Sequence, residues 1–269
     1  MFCVEYAYAV FLYSSIAAQH HRDSDASAEM GERRMRFATT AITIAAACAL
    51  TAGCGQSTEQ AAETTPTRPM ITSFPPTPLR QKTLPRLLLA PEQINAAMAA
   101  GGMAVTGTDS RMSDDSGTMA PRECLAVDGA AQAPVYADSG FTDEQEVSLA
   151  EPDVLTHYAK QAVVRFADAD QAKAFYNSSA QLWPACKRYT HTQTGTLWEV
   201  GPISTDGGVL STVTTQTNAQ AGGWACGRAL TANNNIVVDV NTCSANPADS
   251  AVKIVRQISA RIDAPPIGS

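Results

Sequence analysis

The chain has 269 residues and carries 19 Lys and Arg against 26 Asp and Glu, a net charge of −7 at pH 7. This acidic balance, without any basic stripe, argues against nucleic acid or an anionic lipid headgroup as the principal partner. Beyond residue 53 the remaining length suits one domain with a linker, and no segment there has the ~18 consecutive apolar residues of a membrane-spanning helix.

A leader that ends at a cysteine is the first strong signal. Arg33, Arg34 and Arg36 precede an uncharged, mostly apolar stretch, residues 37–50, and small residues then lead to Cys54. As a helix this stretch would rise about 21 Å, short of the ~30 Å hydrocarbon core of a bilayer, but its length matches a signal-peptide core. We therefore predict a bacterial lipoprotein signal peptide that is cleaved before Cys54, which is then acylated. Two acyl chains would anchor the protein stably to the cell membrane.

The predicted signal peptide spans residues 35–53 and has one unusual position. Thr51 stands three residues before the cysteine, where Leu is usual. An ordinary signal peptide cleaved nearby, or a buried helix, is the alternative interpretation. Residues 1–34 place aromatic residues and an acidic patch ahead of the basic cluster, whereas a secretory signal begins with its charges. We interpret them as an extension from a mis-assigned start codon, with Met30 or Met35 as the true start.

The segment after the leader, residues 54–83, is rich in Thr, Pro, Gln and Ala. Such a composition buries too little apolar surface to fold, and its prolines favour an extended conformation. We predict a disordered tether, and about thirty residues could reach roughly 90 Å from the membrane. The ordered domain is then expected over residues 84–264, followed by a short tail, residues 265–269.

Four further cysteines are the second strong signal: Cys124, Cys186, Cys226 and Cys243. In an exported domain they predict two disulfides, and spacing alone leaves three pairings open. No CxxC pair occurs, so a zinc ribbon or a thioredoxin-type redox motif is not expected.

The helix signals within the domain are three. Pro91 starts an apolar pattern that ends at a pair of glycines. Asp168 or Asp170 is placed to cap a second helix, which ends at Pro184. A third helix from Pro247 would bury one apolar stripe. This stripe contains Ala251, Ile254, Val255, Ile258 and Ile262.

Strand signals separate these helices, so we predict an α+β fold with an antiparallel sheet flanked by helices. Residues 106–121 form the main exception and are predicted to be an exposed acidic loop, because the EF-hand pattern for calcium is missing. Strands are predicted over residues 146–150, 161–166, 188–192, 196–200, 209–217, 224–230 and 236–240.

The last two predicted strands form a hairpin around Asn233-Asn234-Asn235. Cys226 and Cys243 lie equally far on either side of this turn, so a symmetric hairpin would bring them side by side. This geometry favours a Cys226–Cys243 bond and leaves Cys124–Cys186 as the second.

Two stretches around these cysteines resemble a known family. They are Leu182-Trp183-Pro184-Ala185-Cys186 and the strand 223–230, with its Trp-x-Cys-x-Arg-Ala-Leu pattern and the Asn-rich hairpin behind it. Together with the four-cysteine spacing, they resemble the PknH-like extracellular sensor domain. That domain lies outside the membrane on a mycobacterial receptor serine/threonine kinase and recurs in free-standing mycobacterial lipoproteins. The resemblance implies the same two disulfides and a central cleft that receives a ligand, although it assigns no particular residues to ligand binding.

No kinase is expected in this chain. The sequence contains no Gly-rich loop and no Asp-Phe-Gly. His21-Arg22-Asp23 spells the start of a catalytic loop, but Ala28 stands where the metal-binding Asn belongs.

Other catalytic and metal sites are not expected either. His157 and His191 are the histidines beyond residue 53, and they are interpreted as surface residues because no Gly-x-Ser-x-Gly elbow or zinc-ligand spacing accompanies them. Trp183, Trp198 and Trp224 are interpreted as core residues rather than as the walls of a ligand cleft.

Four carboxylates could in principle supply the acid and base of a glycosidase, but they are interpreted as exposed charges. These are Glu144, Glu146, Glu151 and Glu199.

The favoured function is a lipid-anchored, non-catalytic sensor or ligand-binding domain on the extracytoplasmic face of the cell membrane. Its expected ligand is a small molecule or cell-wall fragment, without a cofactor or metal ion. The second hypothesis is an accessory protein that docks a membrane-bound envelope partner, and the third is an envelope hydrolase.

Overall fold

The computed structural model describes residues 77–220 and 222–264, which belong to the compact unit Pro69–Ser269. Within these two ranges, no helix is both long enough and apolar enough to cross a bilayer. The predicted extension, signal peptide, lipidation site at Cys54 and C-terminal tail all lie outside the described residues.

Nine strands form one sheet in the order β1-β3-β4-β9-β8-β7-β6-β5-β2, and all neighbouring strands are antiparallel. The predicted α+β fold with an antiparallel sheet is therefore confirmed. The strands are β1 Ala104–Asp109, β2 Met119–Ala120, β3 Asp143–Ala150, β4 His157–Arg165, β5 Arg188–His191, β6 Thr196–Val200, β7 Leu210–Gln216, β8 Ala225–Asn233 and β9 Ile236–Ser244.

The hairpin of β8 and β9 is symmetric about its Asn-rich turn, as predicted. Asn233 is paired with Ile236, and the register continues without a bulge to Cys226 opposite Cys243. Asn234 adopts a left-handed conformation with φ of 51°, which Asn tolerates better than most residues.

Helices lie on both faces of the sheet. Asp168 caps the helix Ala169–Leu182 (α5), because its carboxylate accepts a hydrogen bond from the Gln171 backbone N–H at 2.9 Å. The whole predicted stripe of the helix Ser250–Asp263 (α6) is buried, which explains why this helix packs against β8 and β9. The helices are α1 Leu84–Leu87, α2 Pro91–Met98, α3 Leu125–Asp128, α4 Ala133–Tyr136, α5 Ala169–Leu182 and α6 Ser250–Asp263.

Two apolar clusters sandwich the sheet. One contains α5 and the residues between β1 and β3, with Trp183 and Phe166 among its largest side chains. The other joins α1, α2 and α6 to the opposite face of the sheet.

The predicted acidic loop, residues 106–121, is partly wrong. Its beginning belongs to β1, which pairs with β3, and its end supplies β2, which pairs with β5. Both strands form through pairing with distant segments rather than through an apolar alternation of their own, so local sequence gave no strand signal.

The predicted boundary between tether and domain at residue 84 is also shifted. A 3-10 helix, Gln81–Thr83, lies within the predicted tether. The backbone N–H of Leu79 donates to Asn235 Oδ1 at 2.7 Å, and Asn235 Nδ2 donates back to the Leu79 carbonyl at 3.1 Å. The side chain of a distant hairpin turn therefore orders this segment.

Candidate functional site

The two disulfides form with the pairing that the hairpin geometry favours. Cys226 and Cys243 bond across β8 and β9. Cys124 and Cys186 bond over a sequence separation of 62 residues. The second bond links Cys186, which follows α5 and the 3-10 helix Trp183–Ala185, to the segment between β1 and β3. We call this segment, residues 110–142, the cover segment.

The sheet face beneath the cover segment carries an unusual set of polar side chains. Antiparallel register places Asp109 beside Glu146, and Ala162 lies between Glu146 and Asp239. Since side chains alternate between faces, Glu144 lies on the same face as Glu146. Most of this polar set is buried, because the cover segment closes over it.

A buried ion pair fixes the cover segment to the sheet. Arg228 Nη1 lies 2.5 Å from Asp239 Oδ1, and both side chains are 2% exposed. The other carboxylate oxygen of Asp239 accepts hydrogen bonds from the Ala131 N–H at 2.9 Å and the Tyr136 hydroxyl at 3.0 Å. Arg228 Nη2 donates to the Ala126 carbonyl at 2.8 Å. The Asp239 carboxylate is thus satisfied by three donors.

The charges around this pair affect Tyr136. Burial raises the pKa of its phenol well above the usual value, and the neighbouring Asp239 carboxylate raises it further. Tyr136 therefore remains a neutral hydrogen-bond donor to Asp239 at every physiological pH.

Glu146 has one partner and one unsatisfied oxygen. Its Oε1 lies 3.0 Å from Lys160 Nζ, which also donates to Ser113 Oγ of the cover segment at 3.1 Å. Glu146 Oε2 is buried and has no hydrogen-bond partner among the described residues. Burial raises the pKa of Glu146, and the charge of Lys160 only partly offsets this effect.

Glu144 is the most unusual residue of the set. It is 6% exposed, and neither of its carboxyl oxygens has a hydrogen-bond partner within the described ranges. Burial, followed by the charge of Glu146, raises the pKa of Glu144 to about 8, despite the opposing charge of Lys160. This carboxyl group is therefore mostly protonated at pH 7.

A cavity of about 300 Å³ lies beside Glu144. It lies on the side of the sheet where β1 and β3 pair, between the start of β3 and the cover segment. Its polar lining residues include Ser110, Arg111, Thr142 and Asp143, while Met112 and Phe141 supply apolar surface. A buried acidic residue, an arginine and apolar side chains thus line one small space.

The expectation that the carboxylates are exposed is wrong for Glu144 and Glu146, because sequence alone did not show that the cover segment lies over β3. It holds for Glu199, which is exposed on β6. Glu151 is instead engaged by His157, whose Nδ1 lies 2.6 Å from Glu151 Oε1.

The two histidines are partly buried rather than free on the surface. His191 Nε2 lies 2.9 Å from Asp128 Oδ1 of the cover segment. Burial alone would lower the pKa of His191, but the hydrogen bond and charge of Asp128 raise it overall. Among residues 77–220 and 222–264, no group of three or more His, Cys, Asp or Glu side chains could hold a metal ion.

The tryptophans follow the core interpretation. Trp183 is 1% exposed and Trp198 is 4% exposed. Trp224 is partly buried and packs against the same cluster. The guanidinium of Arg228 lies 5.1 Å from the centre of the Trp183 ring, so this ring also supports the buried ion pair.

These features define a class of protein: an α+β domain with a nine-stranded antiparallel sheet, helices on both faces and two disulfides. The model of the PknH-like extracellular domain family matches residues 79–261. The chain therefore belongs to the PknH-like extracellular domain family, and the resemblance predicted from the cysteine-bearing stretches is confirmed.

Individual relatives agree with this assignment. The chain is 32% identical over 194 residues to the serine/threonine-protein kinase PknH of Mycobacterium tuberculosis, covering 70% of this chain and 31% of the kinase. The corresponding Mycobacterium bovis kinase is also 32% identical over 194 residues, with 70% of this chain and 32% of the kinase covered. The chain thus spans about a third of the length of the curated relatives it matches.

A solved structure supports the same fold. The crystal structure of the extracellular domain of PknH from Mycobacterium tuberculosis superposes with a TM-score of 0.65 at 30% sequence identity. The match covers 70% of this chain and 98% of the solved one. The shared region is therefore nearly the whole of the solved chain.

Proposed function

We propose that this protein is a non-catalytic ligand-binding domain held on the extracytoplasmic face of the cell membrane by lipid on Cys54. Membership of an extracellular domain family and the leader ahead of Cys54 support the location. The two disulfides support it too, because such bonds persist in oxidising compartments.

Glu144 carries the argument for ligand binding. A buried polar group without a hydrogen-bond partner costs about 1–3 kcal/mol, and natural proteins keep few such groups. Here both carboxyl oxygens of Glu144 are buried without a partner among the described residues, and Glu144 lines a cavity of about 300 Å³, at the lower end of the volumes of small-molecule sites. A ligand in this cavity would supply the missing partner. The proposed ligand is a small molecule or wall fragment, bound without a cofactor.

Envelope hydrolysis has one observation in its favour. A carboxyl group with a pKa of about 8 is protonated at neutral pH, as a general acid must be. Its neighbour Glu146, however, is ion-paired with Lys160 and is not on the cavity wall. The pair therefore fits ligand recognition better than acid and base catalysis.

Docking of an envelope protein is favoured by a different surface. A second cavity of about 330 Å³ lies beside α5 and is partly walled by Phe175 and Leu182. Leu182 is 67% exposed and so leaves apolar surface at the edge of this groove. This groove could receive an apolar side chain of a partner.

Thermal-shift screening of the purified full-length chain against wall fragments and lipids tests the proposed function. A ligand at 100 times its Kd should stabilise the protein by about 2.7 kcal/mol, a shift of several degrees. The shift should be lost in Glu144→Gln and retained in Glu199→Gln, a matched change on an exposed strand position. No shift with any fragment or lipid would contradict ligand binding, and release of sugar or peptide products would favour the hydrolase.

Mass spectrometry of the protein from its native membrane tests the anchor. We expect a processed chain that begins with acylated Cys54, and a Cys54→Ser variant that no longer partitions into detergent. An unprocessed leader, or membrane retention of the Ser variant, would contradict lipid anchoring.

A further inference from the structure

The residues that line the cavity beside Glu144 limit the class of ligand that it could bind. We propose that it binds a small zwitterion, such as an amino acid or a peptide with a free amino group, whose ammonium group pairs with the Glu144 carboxylate. This inference rests on the proposed ligand-binding function and deepens it.

The first argument is the state of the acidic side chains. Both oxygens of Glu144 and Oε2 of Glu146 are buried without hydrogen-bond partners among the described residues. When it is ionised, Glu144 can only accept hydrogen bonds, so a ligand that binds its carboxylate must bring a donor. An ammonium group supplies three donors together with the charge that offsets a buried carboxylate.

The second argument is the balance of charges around Glu144. Negative charge faces it from Glu146 on β3 and Asp109 on β1, and positive charge from Lys160 on β4. Lys160 is already paired with Glu146, so its charge is not free to neutralise a second carboxylate. The other nearby charges are neutralised locally, through the Arg165–Asp143 pair at the start of β3 and the Arg228–Asp239 pair on β8 and β9. One cation is therefore missing from the buried set when Glu144 is ionised.

A divalent metal ion is a poor candidate for that cation. Calcium and magnesium take six or more oxygen ligands, and zinc takes three or four protein ligands. Within the part of the chain that the structure describes, no cluster of three suitable side chains exists. Two acidic residues line the cavity, and Asp143 is already paired with Arg165, so the one unpaired carboxyl group fits an organic cation instead.

Arg111 favours a zwitterion over a simple amine as the ligand of this cavity. It lies on the wall of the same cavity and has no ion-pair partner among the described residues. Its guanidinium group would repel a polycation and would bind a carboxylate, with bidentate geometry where the approach allows it. Met112 and Phe141 leave apolar surface for an aliphatic side chain between the two charged groups.

Binding should be coupled to proton release. Free Glu144 is mostly protonated at pH 7, whereas its ion pair with an ammonium group requires the carboxylate. The ammonium ligand keeps its own proton, and the carboxyl proton of Glu144 passes to solvent. Close to one proton should therefore leave for each ligand bound at pH 7, and the affinity should rise about tenfold per pH unit up to about pH 8.

Isothermal titration of the purified full-length chain tests this with three probes that share one side chain. Leucine carries both charges, leucinamide keeps only the ammonium group, and N-acetyl-leucine keeps only the carboxylate. We expect binding in the order leucine, leucinamide, N-acetyl-leucine, with N-acetyl-leucine at least 100-fold weaker than leucine. Titrations in buffers of different ionisation enthalpy should show the released proton.

Substitutions test which residues contact the ligand. Glu144→Gln should weaken leucine binding at least tenfold at pH 8 and abolish proton release, while Glu199→Gln should leave the affinity and the proton release unchanged. Arg111→Gln should weaken the binding of leucine but not that of leucinamide.

If N-acetyl-leucine binds as tightly as leucine, or if leucine binds without proton release, the zwitterion proposal is overturned. If a wall fragment without an amino group binds at Glu144 while all three probes fail, the proposal is wrong but ligand binding stands; if nothing binds, both are wrong.

Discussion

The charge of Glu144 would be favourable on an exposed strand and is unfavourable in the folded domain. On an isolated strand its charge would be solvated, but the cover segment removes that solvent. Burial raises its pKa from the ordinary 4.5 to about 8, so the folded state binds this proton more tightly than the unfolded state does. The free energy of unfolding should consequently fall as the pH rises between these two values.

Replacing Glu144 by Gln should therefore stabilise the protein at alkaline pH. Gln keeps the shape and cannot ionise, so we expect a gain of about 1–3 kcal/mol at pH 8.5 and almost none at pH 5. Urea unfolding at the two pH values measures this difference. Glu199→Gln is the control and should show no such pH dependence, whereas a loss of stability for Glu144→Gln at pH 8.5 would contradict the argument.

Arg228 is the opposite case, a buried charge whose partner, Asp239, accepts hydrogen bonds with both of its carboxylate oxygens. Its removal would leave the Asp239 carboxylate buried without a counter-ion, and one-sided loss of a buried pair is costly. We expect Arg228→Met to lower the free energy of unfolding by about 3–5 kcal/mol, measured by urea denaturation. Lys253→Met breaks the exposed pair with Asp249 at the start of α6, with side chains 55% and 62% exposed, and should change stability by less than about 0.5 kcal/mol. A loss below 1 kcal/mol for Arg228→Met would show that Asp239 finds another partner.

The turn between β8 and β9 connects elements that are far apart in sequence. Asn235 is fully buried. Its side chain forms hydrogen bonds with the backbone of Leu79, in the segment before α1, and with the Phe166 carbonyl just after β4. Its amide is thus part of the reason why the ordered domain begins before α1.

Asn235→Ala should destabilise the domain, because it leaves these backbone groups without partners. We expect a loss of about 2–3 kcal/mol, against less than 1 kcal/mol for Asn233→Ala, whose side chain is bound near the surface. Chemical denaturation of both variants gives the comparison. In a chain that starts at Leu84 the cost of Asn235→Ala should shrink, since Leu79 is gone; an unchanged cost would mean that the N-terminal contact contributes nothing.

The two disulfides join different elements and should contribute different amounts to the free energy of unfolding. Cys226–Cys243 joins strands that are already paired, with a sequence separation of 17, whereas Cys124–Cys186 closes a separation of 62 and links the cover segment to α5. Loop entropy alone gives about 3 and about 4 kcal/mol, respectively.

Cys124→Ala with Cys186→Ala should therefore cost more stability than Cys226→Ala with Cys243→Ala. Because the first bond also secures the cavity wall, we expect its loss to weaken ligand binding at Glu144 as well. Urea denaturation and titration of the two double variants provide the measurements. Equal losses, or unaffected ligand binding without Cys124–Cys186, would show that the buried ion pair alone secures the cover segment.

Across the full domain, the strong local patterns led to correct elements. The apolar stripe of α6, the Asp168 cap of α5 and the Asn-rich turn of the last hairpin each depend on neighbours in sequence. The edge strands β1 and β2 and the ordered residues before Leu84 were missed, because each is held by a partner more than 30 residues away in the chain.

The sequence by itself determined the leader pattern, the family and the α+β class, and it favoured one pairing of the cysteines. Tertiary structure alone decided that Glu144 and Glu146 are buried and that a cavity borders one of them. The physical reason is that the charge state of a carboxyl group depends on what covers it. Here the covering segment comes from residues 110–142, and the sequence of its first part, residues 110–121, resembles an exposed loop.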